Sequence, residues 1–406
     1  MKILFRPILL LLLALNFGCG GGGAEAAAGG SLTTPSTSNS PYPDYNTQPT
    51  AADATGMADT APQTAQKLRI GLNIGNTLEA TGGKSETAWG NPKITREFVQ
   101  FAKASGFNAI RLPTSWDQYA DPTTAKIDPA WLARVQEVVQ YCIDADLYVI
   151  VNIHWDGGWL EQNVTPDKQV ANNFKQKAYW QQIATQLRDF DGRLLFASAN
   201  EPNVKTAEQM TVLMSYHQTF IDAVRATGGR NAYRTLIVQG PSTDIELTNT
   251  LMTSFPKDTV ANRLMAEIHY YTPWNFTGMT KDESWGNQFF YWGQPNHSTT
   301  DTAHNPTWGE EGTVDTFFGL MKAQFVDRGI PVIVGEFGAI DRAATLTGDS
   351  LKLHEDSRAY YGKIVTQRAR ALGLVPFYWD TGSLLDRSKN VVLDQQELTA
   401  LMQGAL

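Results

Sequence analysis

The sequence predicts a single α/β domain built as a (β/α)8 TIM barrel, because short apolar segments alternate with segments of helical periodicity. Parallel strands covered by helices produce this alternation, and such strands are apolar on both faces. Eight strands are expected, at 68–75, 109–114, 147–154, 194–201, 234–240, 263–271, 330–336 and 375–379. A folded part of about 340 residues lies within the size range of such a barrel with insertions.

Helical patterns separate most of these strands. Asp128 and Pro129 are typical of an N-cap and a first-turn proline, and apolar residues then recur at helical spacing as far as Ile143. The same spacing recurs over 314–325, and the helix between strands five and six is expected within 244–256. A doubly wound open sheet is the alternative architecture. Its nucleotide-binding form gains no support, because no Gly-x-Gly-x-x-Gly motif follows the first strand.

Two segments precede the predicted barrel. Residues 1–19 have the basic start and short apolar core of a bacterial secretory signal, and they end in Asn-Phe-Gly-Cys, which resembles a lipobox. Cys19 is therefore a predicted lipidation site, with ordinary cleavage as the alternative. Residues 20–65 are rich in Gly, Ala, Ser, Thr and Pro, which predicts a flexible linker, so the barrel is expected to span 66–406.

These segments also predict where the protein is located. Export from a bacterium is expected, to the outer membrane or cell surface if Cys19 is lipidated and to the periplasm or medium otherwise. No stretch after the leader is long and apolar enough to span a bilayer, so membrane contact is expected only through that lipid.

Composition argues against several classes of function. The net charge is −8 and no basic cluster occurs, which argues against a nucleic-acid partner. The two cysteines, Cys19 and Cys142, provide neither a disulfide framework nor a cysteine-based metal site. A monomer is the default expectation.

Two of the predicted strands end in a glutamate. The apolar run from Leu194 ends in Asn200-Glu201-Pro202, and the β-branched run from Ile330 ends in Glu336 between glycines. Each glutamate alone could cap a surface loop. In a barrel, however, the carboxyl ends of the strands meet at one face, where active sites lie. A pair of carboxylates at that face is the minimal equipment for hydrolysing a glycosidic bond.

The tryptophans are expected to border a cleft at the same face. Of eleven, only Trp131 and Trp180 fall within predicted helices, and the others lie at strand ends or in the loops that follow them. Flat aromatic rings along a cleft suit stacking on pyranose rings. The longest such loop, about 272–312, carries Trp274, Trp285, Phe289, Phe290, Tyr291, Trp292 and Trp308.

Other polar and aromatic residues follow the strand ends in order. They are Asn73, Asn76, Arg111, His154, Trp155, Asn200, His269, Tyr271 and Trp379. Together with the Asn-Glu-Pro and Gly-Glu-Phe-Gly motifs, this set resembles the catalytic core of glycoside hydrolase family 5, the cellulase-type retaining β-glycanases. The resemblance covers nearly the whole folded part. The stretch 71–78 and the aromatic loop are most similar to the branch that contains endoglucanases and xyloglucanases.

The resemblance implies a role for each glutamate. Glu201 would be the general acid/base and Glu336 the nucleophile of a retaining mechanism, which needs the carboxyl groups about 5–5.5 Å apart. Arg111 beside Glu336 would favour its ionised form, and Tyr271 would donate a hydrogen bond to it. Asn200 would bind the sugar 2-hydroxyl.

The remaining residues are expected to support or bind the substrate. His154 and His269 would bind hydroxyls or orient the carboxylates, and Trp379 would form the floor of the sugar site. Asn76 and Trp274 complete this set. Trp155 stands where many relatives have a second histidine, which leaves the exact substrate open. Glu267 shares a face with His269 and is expected to be a buried partner of Arg111 or of a histidine.

The resemblance implies a retaining endo-β-1,4-glucanase that needs no cofactor or metal. Its polysaccharide substrate is expected to be a cellulose-type or mixed-linkage glucan, then xyloglucan, with an endo-β-mannanase on the same core as an alternative. A non-catalytic cell-surface barrel that binds glycans is another. A metal-dependent hydrolase is a third, but only His154 and His269, on distant strands, are available as histidine ligands.

Overall fold

Eight parallel strands close into a barrel in the computed structural model, which describes residues 40–406. Each strand pairs with its neighbours in chain order, and the eighth pairs with both the seventh and the first. The strands, labelled β1 to β8, are Gly71–Ile74, Ala109–Leu112, Tyr148–Asn152, Leu194–Ala197, Leu236–Gln239, Leu264–Tyr270, Val332–Phe337 and Leu374–Asp380. The predicted (β/α)8 barrel is confirmed, with most strands shorter than expected.

Ten α-helices accompany the strands within this part of the chain. The helices α1 to α10 are Ala61–Lys67, Arg96–Ala104, Pro129–Asp144, Pro166–Gln186, Ala207–Ala226, Ile245–Leu251, Trp274–Thr277, Glu311–Gln324, Gly348–Ala371 and Gln395–Gly404. The Asp128 side chain caps α3 as expected, since it accepts a hydrogen bond from the backbone N–H of Ala130. Helix α6 lies within its predicted interval. None of the helices in residues 40–406 is both long and apolar enough to cross a bilayer.

The apolar core has two layers. Residues that point into the barrel, such as Ile150, Leu195 and Ile333, form a small inner cluster. A larger cluster lies between the barrel and the surrounding helices, and it includes Cys142, which is buried in α3 as a free thiol. The inner layer fills the barrel below its carboxyl end, so a polar site can only form above it.

The folded part begins earlier than the sequence predicted. The second half of the expected linker 20–65 is structured, because residues 50–52 pair with 228–229 and α1 begins at Ala61. Ala61 and Ala65 on α1 join the inner cluster, so the helix contacts the interior of the barrel. These side chains are small, and the segment therefore lacks the bulky apolar residues that predict a helix.

Polar contacts also hold this segment. The guanidinium of Arg263 donates to the backbone carbonyls of Met57 and Asp59, and the Tyr45 hydroxyl donates to the carbonyl of Thr124 at 2.8 Å. The predicted signal, the lipidation site Cys19 and the first half of the predicted linker lie outside the described residues.

Candidate active site

The predicted site residues meet at the carboxyl end of the barrel. Arg111 on β2 lies at the centre and is fully buried. Its guanidinium lies 3.0 Å from the carboxylate of Glu267 on β6 and 2.8 Å from that of Glu336 on β7. The expectation that Glu267 is a buried partner of Arg111 is therefore confirmed.

Arg111 also positions two amide side chains. One terminal nitrogen donates to Asn73 at 3.0 Å, and the other donates to Asn200 at 2.9 Å. The amide of Asn73 in turn donates to the Gly335 carbonyl at 2.8 Å, next to Glu336. Asn73 therefore connects β1 to β7 inside the barrel, and the arginine holds Asn200 at the end of β4.

Glu336 is buried and receives donors on both carboxylate oxygens. Oε1 accepts from Arg111 at 2.8 Å, and Oε2 accepts from the Tyr271 hydroxyl at 3.1 Å. His269 Nδ1 lies 3.7 Å from Oε2. Burial raises the pKa of Glu336, while His269 and Arg111 oppose that rise. Two cations and a hydroxyl thus favour an ionised carboxylate at a site where burial alone would keep it protonated.

Glu201 lies beyond the end of β4 and is the more open of the two glutamates, with 37% of its side chain exposed. Its Oε1 lies 2.7 Å from His269 Nδ1. One oxygen of Glu201 and one of Glu336 lie within 4.8 Å of each other. The two carboxyl groups are therefore paired across the mouth of the barrel.

His269 bridges three carboxylates. Its Nδ1 faces Glu201, and its Nε2 lies 3.2 Å from Glu267. Burial opposes a charge on the ring, but Glu336, Glu201 and Glu267 outweigh it and raise the pKa of His269 to about 10. The ring is an imidazolium at neutral pH, and it orients Glu201 and offsets the negative charge of the cluster.

His154 and Trp379 lie side by side. Their rings stack with centroids 5.8 Å apart and planes 9° from parallel. Burial, Arg111 and His269 lower the pKa of His154 well below its usual value, so this ring is neutral. A Cβ on Gly75 would lie 2.8 Å from the Trp379 indole, which explains why glycine occupies that position.

Three predicted residues lie at the rim. Trp155 follows β3 and Trp274 begins α7, and both have exposed rings. Asn76 follows β1 with φ of 59°, and its backbone N–H donates to Glu79. Among the described residues, no hydrogen bond joins the side chain of any of these three to Glu201 or Glu336.

The aromatic loop divides into exposed and buried rings. Trp274, Trp285 and Trp308 are about half exposed, as residues that line a cleft should be. The expectation is wrong for Phe289, Tyr291 and Trp292, which are buried. Trp292 packs edge-on against Tyr361 with ring centroids 5.0 Å apart. The buried rings therefore stabilise the loop and do not line the cleft.

Two residues of the site were missed by the sequence analysis. Glu161, in the loop after β3, is buried, and its carboxylate accepts the backbone N–H of Glu201 at 2.7 Å. Gln239 ends β5, donates to Glu267 at 2.7 Å and accepts from the N–H of Ala199 at 2.8 Å. A polar residue at a strand end is a signal that could have found Gln239. Glu161 lies in a turn and has no such signal.

A metal ion does not fit this arrangement. Within residues 40–406, the one cluster whose ligand atoms could meet at an ion is Glu201, His269 and Glu336. His269 Nδ1 already pairs with Glu201 at 2.7 Å, and both oxygens of Glu336 already accept hydrogen bonds, from Arg111 and from Tyr271. These residue types and contacts suit a pair of carboxyl groups of which one is ionised and the other carries a proton.

A small cavity lies beside Glu201. It has a volume of about 200 Å³ and is bordered by Glu201, His269 and Tyr271 on one side and by Ser242 and Thr243 on the other. It lies between the loops that follow β5 and β6, and Glu201 is one of the residues that border it.

Comparisons with known proteins agree with this geometry. The family model for cellulase, glycosyl hydrolase family 5, matches residues 74–384. A xyloglucan-specific endo-β-1,4-glucanase of Bacteroides ovatus is 39% identical over 373 residues, which cover 87% of this chain and 72% of that protein. Endoglucanase A of Paenibacillus barcinonensis is 36% identical, over 89% of this chain and 93% of its own.

A solved structure shows the same relationship in three dimensions. The family 5 xyloglucanase of Bacteroides ovatus, in complex with a heptasaccharide, superimposes with a TM-score of 0.82 at 36% identity. The match covers 91% of this chain and 81% of that one.

Proposed function

The chain belongs to glycosyl hydrolase family 5, and from this we propose that Glu201 and Glu336 carry out a double displacement on a β-glucan. We also propose that xyloglucan is the preferred substrate of the enzyme. The chain is a retaining endo-β-1,4-glucanase, which cuts internal linkages of its substrate. The observation that best supports a retaining double displacement is that one oxygen of Glu201 and one of Glu336 lie within 4.8 Å of each other. Retaining enzymes hold their carboxyl groups about 5–5.5 Å apart, and inverting enzymes hold them farther apart.

In the first step, Glu336 attacks the anomeric carbon. An ester bond forms between that carbon and Glu336, and the bond to the leaving glucan oxygen breaks. Attack requires an ionised carboxylate, which the contacts with Arg111 and Tyr271 favour. Glu201 gives its proton to the leaving oxygen, and its exposed side chain supports this role because the leaving chain must reach it.

In the second step, water cleaves the ester. Glu201, now ionised, takes a proton from the water. The water oxygen attacks the anomeric carbon, and Glu336 leaves as a carboxylate. His269 contacts Glu201 through both steps and provides a fixed positive charge beside it. This chemistry is complete without a cofactor.

Neighbouring residues are assigned to sugar binding. Asn200 is held by Arg111 through its oxygen, which leaves amide hydrogens to donate to the sugar 2-hydroxyl. Neutral His154 can hydrogen-bond a hydroxyl without adding charge, and Trp379 beside it offers a flat surface for a pyranose ring. Contacts to the 2-hydroxyl strengthen in the transition state, so Asn200 would affect kcat more than KM.

The preference for xyloglucan is supported by the relatives and by the rim. The Bacteroides ovatus relative is xyloglucan-specific. Trp155 and Trp274 present exposed rings at the rim, where a sugar chain and its branches would be contacted. An unbranched β-glucan is the competing substrate, because Endoglucanase A is also a relative. The described residues give no reason to favour a mannanase or a binding barrel without activity.

Product analysis on three polymers tests the proposal. Purified protein is incubated with xyloglucan, carboxymethyl cellulose and β-mannan, and viscosity and oligosaccharide sizes are followed. We expect the highest kcat/KM on xyloglucan, and loss of turnover in Glu336→Gln. Glu397→Gln is the matched control, since Glu397 is a buried glutamate on α10 away from the site. Unchanged turnover in Glu336→Gln would contradict the assigned role, and faster cleavage of carboxymethyl cellulose would contradict the preference.

Location and assembly are separate proposals that rest on the sequence. We propose that Cys19 carries a lipid that anchors the enzyme at the outer membrane or cell surface, and that the enzyme acts as a monomer. Replacing Cys19 by Ser should move the protein from the membrane to the soluble fraction. Light scattering of the mature protein should give the mass of one chain.

A further inference from the structure

Glu161 contacts the segment that carries Glu201 at two points. Its Oε1 accepts the backbone N–H of Glu201 at 2.7 Å, and its own carbonyl accepts the N–H of Asn203 at 2.8 Å. Both acceptors belong to one residue, which is buried in the loop between β3 and α4. The chain on either side of Pro202 is therefore fixed to the neighbouring strand's loop.

The backbone of Glu201 depends on such contacts because the sheet ends before it. Ladder pairing of β4 stops at Ala197, and Glu201 lies four residues farther on. Beyond that point, side chains accept the backbone hydrogen bonds that a neighbouring strand would otherwise accept. Gln239 accepts from the N–H of Ala199, and Glu161 accepts from the N–H of Glu201. If the Glu161 carboxyl group moved, the backbone of Glu201 would move with it. The Glu201 carboxyl group, which donates the proton, would then be displaced.

Glu161 is suited to hold this position without adding charge. Burial raises the pKa of Glu161 to about 8, with Glu201 adding to the rise and the N–H of Glu201 opposing it. The group therefore keeps its proton at neutral pH. A second ionised carboxylate beside Glu201 would repel the charge that Glu201 must adopt during the second step.

We propose that Glu161 is a positioning residue for the general acid/base, which aligns Glu201 with the leaving oxygen by fixing its backbone. This inference rests on the roles proposed for Glu201 and Glu336. It predicts a defect confined to steps in which Glu201 transfers a proton, of which kcat/KM reports the first, since Glu336 is held by Arg111 and Tyr271.

Two substrates with different leaving groups test this inference. A dinitrophenyl cellobioside leaves without a proton, whereas an unsubstituted cello-oligosaccharide needs one. For Glu161→Ala we expect kcat/KM to fall about 10–100-fold on the oligosaccharide, because small misplacements of a reacting group cost that much. On the dinitrophenyl substrate we expect a loss of less than about threefold, in line with an unaffected nucleophile. Glu161→Gln retains the acceptor and should stay within about threefold on both.

Controls separate this proposal from its premise. Glu201→Ala should show the same dependence on the leaving group, only larger, and if it does not, the role of Glu201 is wrong. Glu397→Ala removes another buried carboxyl group and should leave kcat/KM unchanged on both substrates. Equal losses on both substrates in Glu161→Ala, or none, would overturn the proposal. If Glu161→Ala does not fold, Glu161→Asp, which withdraws the acceptor by one methylene, gives the same comparison.

Discussion

Replacing Tyr271 by Phe tests how the nucleophile is kept ionised. The Tyr271 hydroxyl donates to Glu336 Oε2 at 3.1 Å, and the substitution removes this donor while keeping the ring. A hydrogen bond to a charged group contributes about 1.5–3 kcal/mol. Charged O–H···O bonds are usually about 2.5–2.7 Å long, so the observed contact belongs at the weak end of that range. We therefore expect a loss of about 1.5 kcal/mol from the ionised form.

The sign of the pH effect follows from which form the bond stabilises. Burial already raises the pKa of Glu336, and the Tyr271 hydroxyl favours the ionised carboxylate. Without that hydroxyl the pKa rises further, so more Glu336 is protonated and inactive at low pH. The acidic limb of the kcat/KM profile should move to higher pH by about one pH unit, because that shift is the same energy expressed as a pKa.

The adjacent tyrosine provides a matched control. Tyr270 points to the other face of β6, and its hydroxyl is buried with no hydrogen-bond partner within residues 40–406. Tyr270→Phe should leave the pH profile in place. The assay is kcat/KM on a soluble cello-oligosaccharide from pH 4 to 9, in a range of buffers at constant ionic strength. An acidic limb that does not move in Tyr271→Phe would refute this explanation.

Three further perturbations test the network, the sugar site and the start of the folded part. Glu267→Gln removes a buried partner of both Arg111 and His269, and urea denaturation should show a loss of about 3 kcal/mol, whereas a loss below about 1 kcal/mol would contradict the buried ion pair. Trp379→Ala, made in an inactive Glu336→Gln background, should weaken oligosaccharide binding about tenfold by calorimetry, and unchanged affinity would exclude Trp379 as the floor of the sugar site. Arg263→Ala should expose residues 57–67 to limited proteolysis, and equal protection would show that the hydrogen bonds of Arg263 do not hold that segment.

Periodicity made the barrel predictable. Strands such as Leu194–Ala197 and Val332–Phe337 are buried along their whole length, so their apolar runs stand out against amphipathic helices such as α3. A barrel then brings the carboxyl ends of all strands together, which is why Glu201 and Glu336 could be paired from sequence. The motif resemblance assigned their roles, which the spacing alone leaves open.

Other features could not be predicted because their signal is not local. Ala61 and Ala65 pack into the end of the barrel, and a composition of small residues looks the same in a linker as in a tightly packed helix. Glu161 contacts Glu201 from 40 residues away along the chain, and no pattern within its turn indicates the partner. Buried Trp292 and exposed Trp274 belong to the same loop, and only the fold of that loop separates them.

Trapping the covalent intermediate tests the proposed mechanism most directly. The enzyme is incubated with a 2-deoxy-2-fluoro cellobioside that carries a good leaving group, because fluorine slows the second step and the ester accumulates. Peptide mass spectrometry should then locate the added mass of a 2-deoxy-2-fluorocellobiosyl group on Glu336. A label on Glu201, or an unlabelled enzyme whose products show an inverted anomeric configuration, would contradict the roles assigned to the two glutamates.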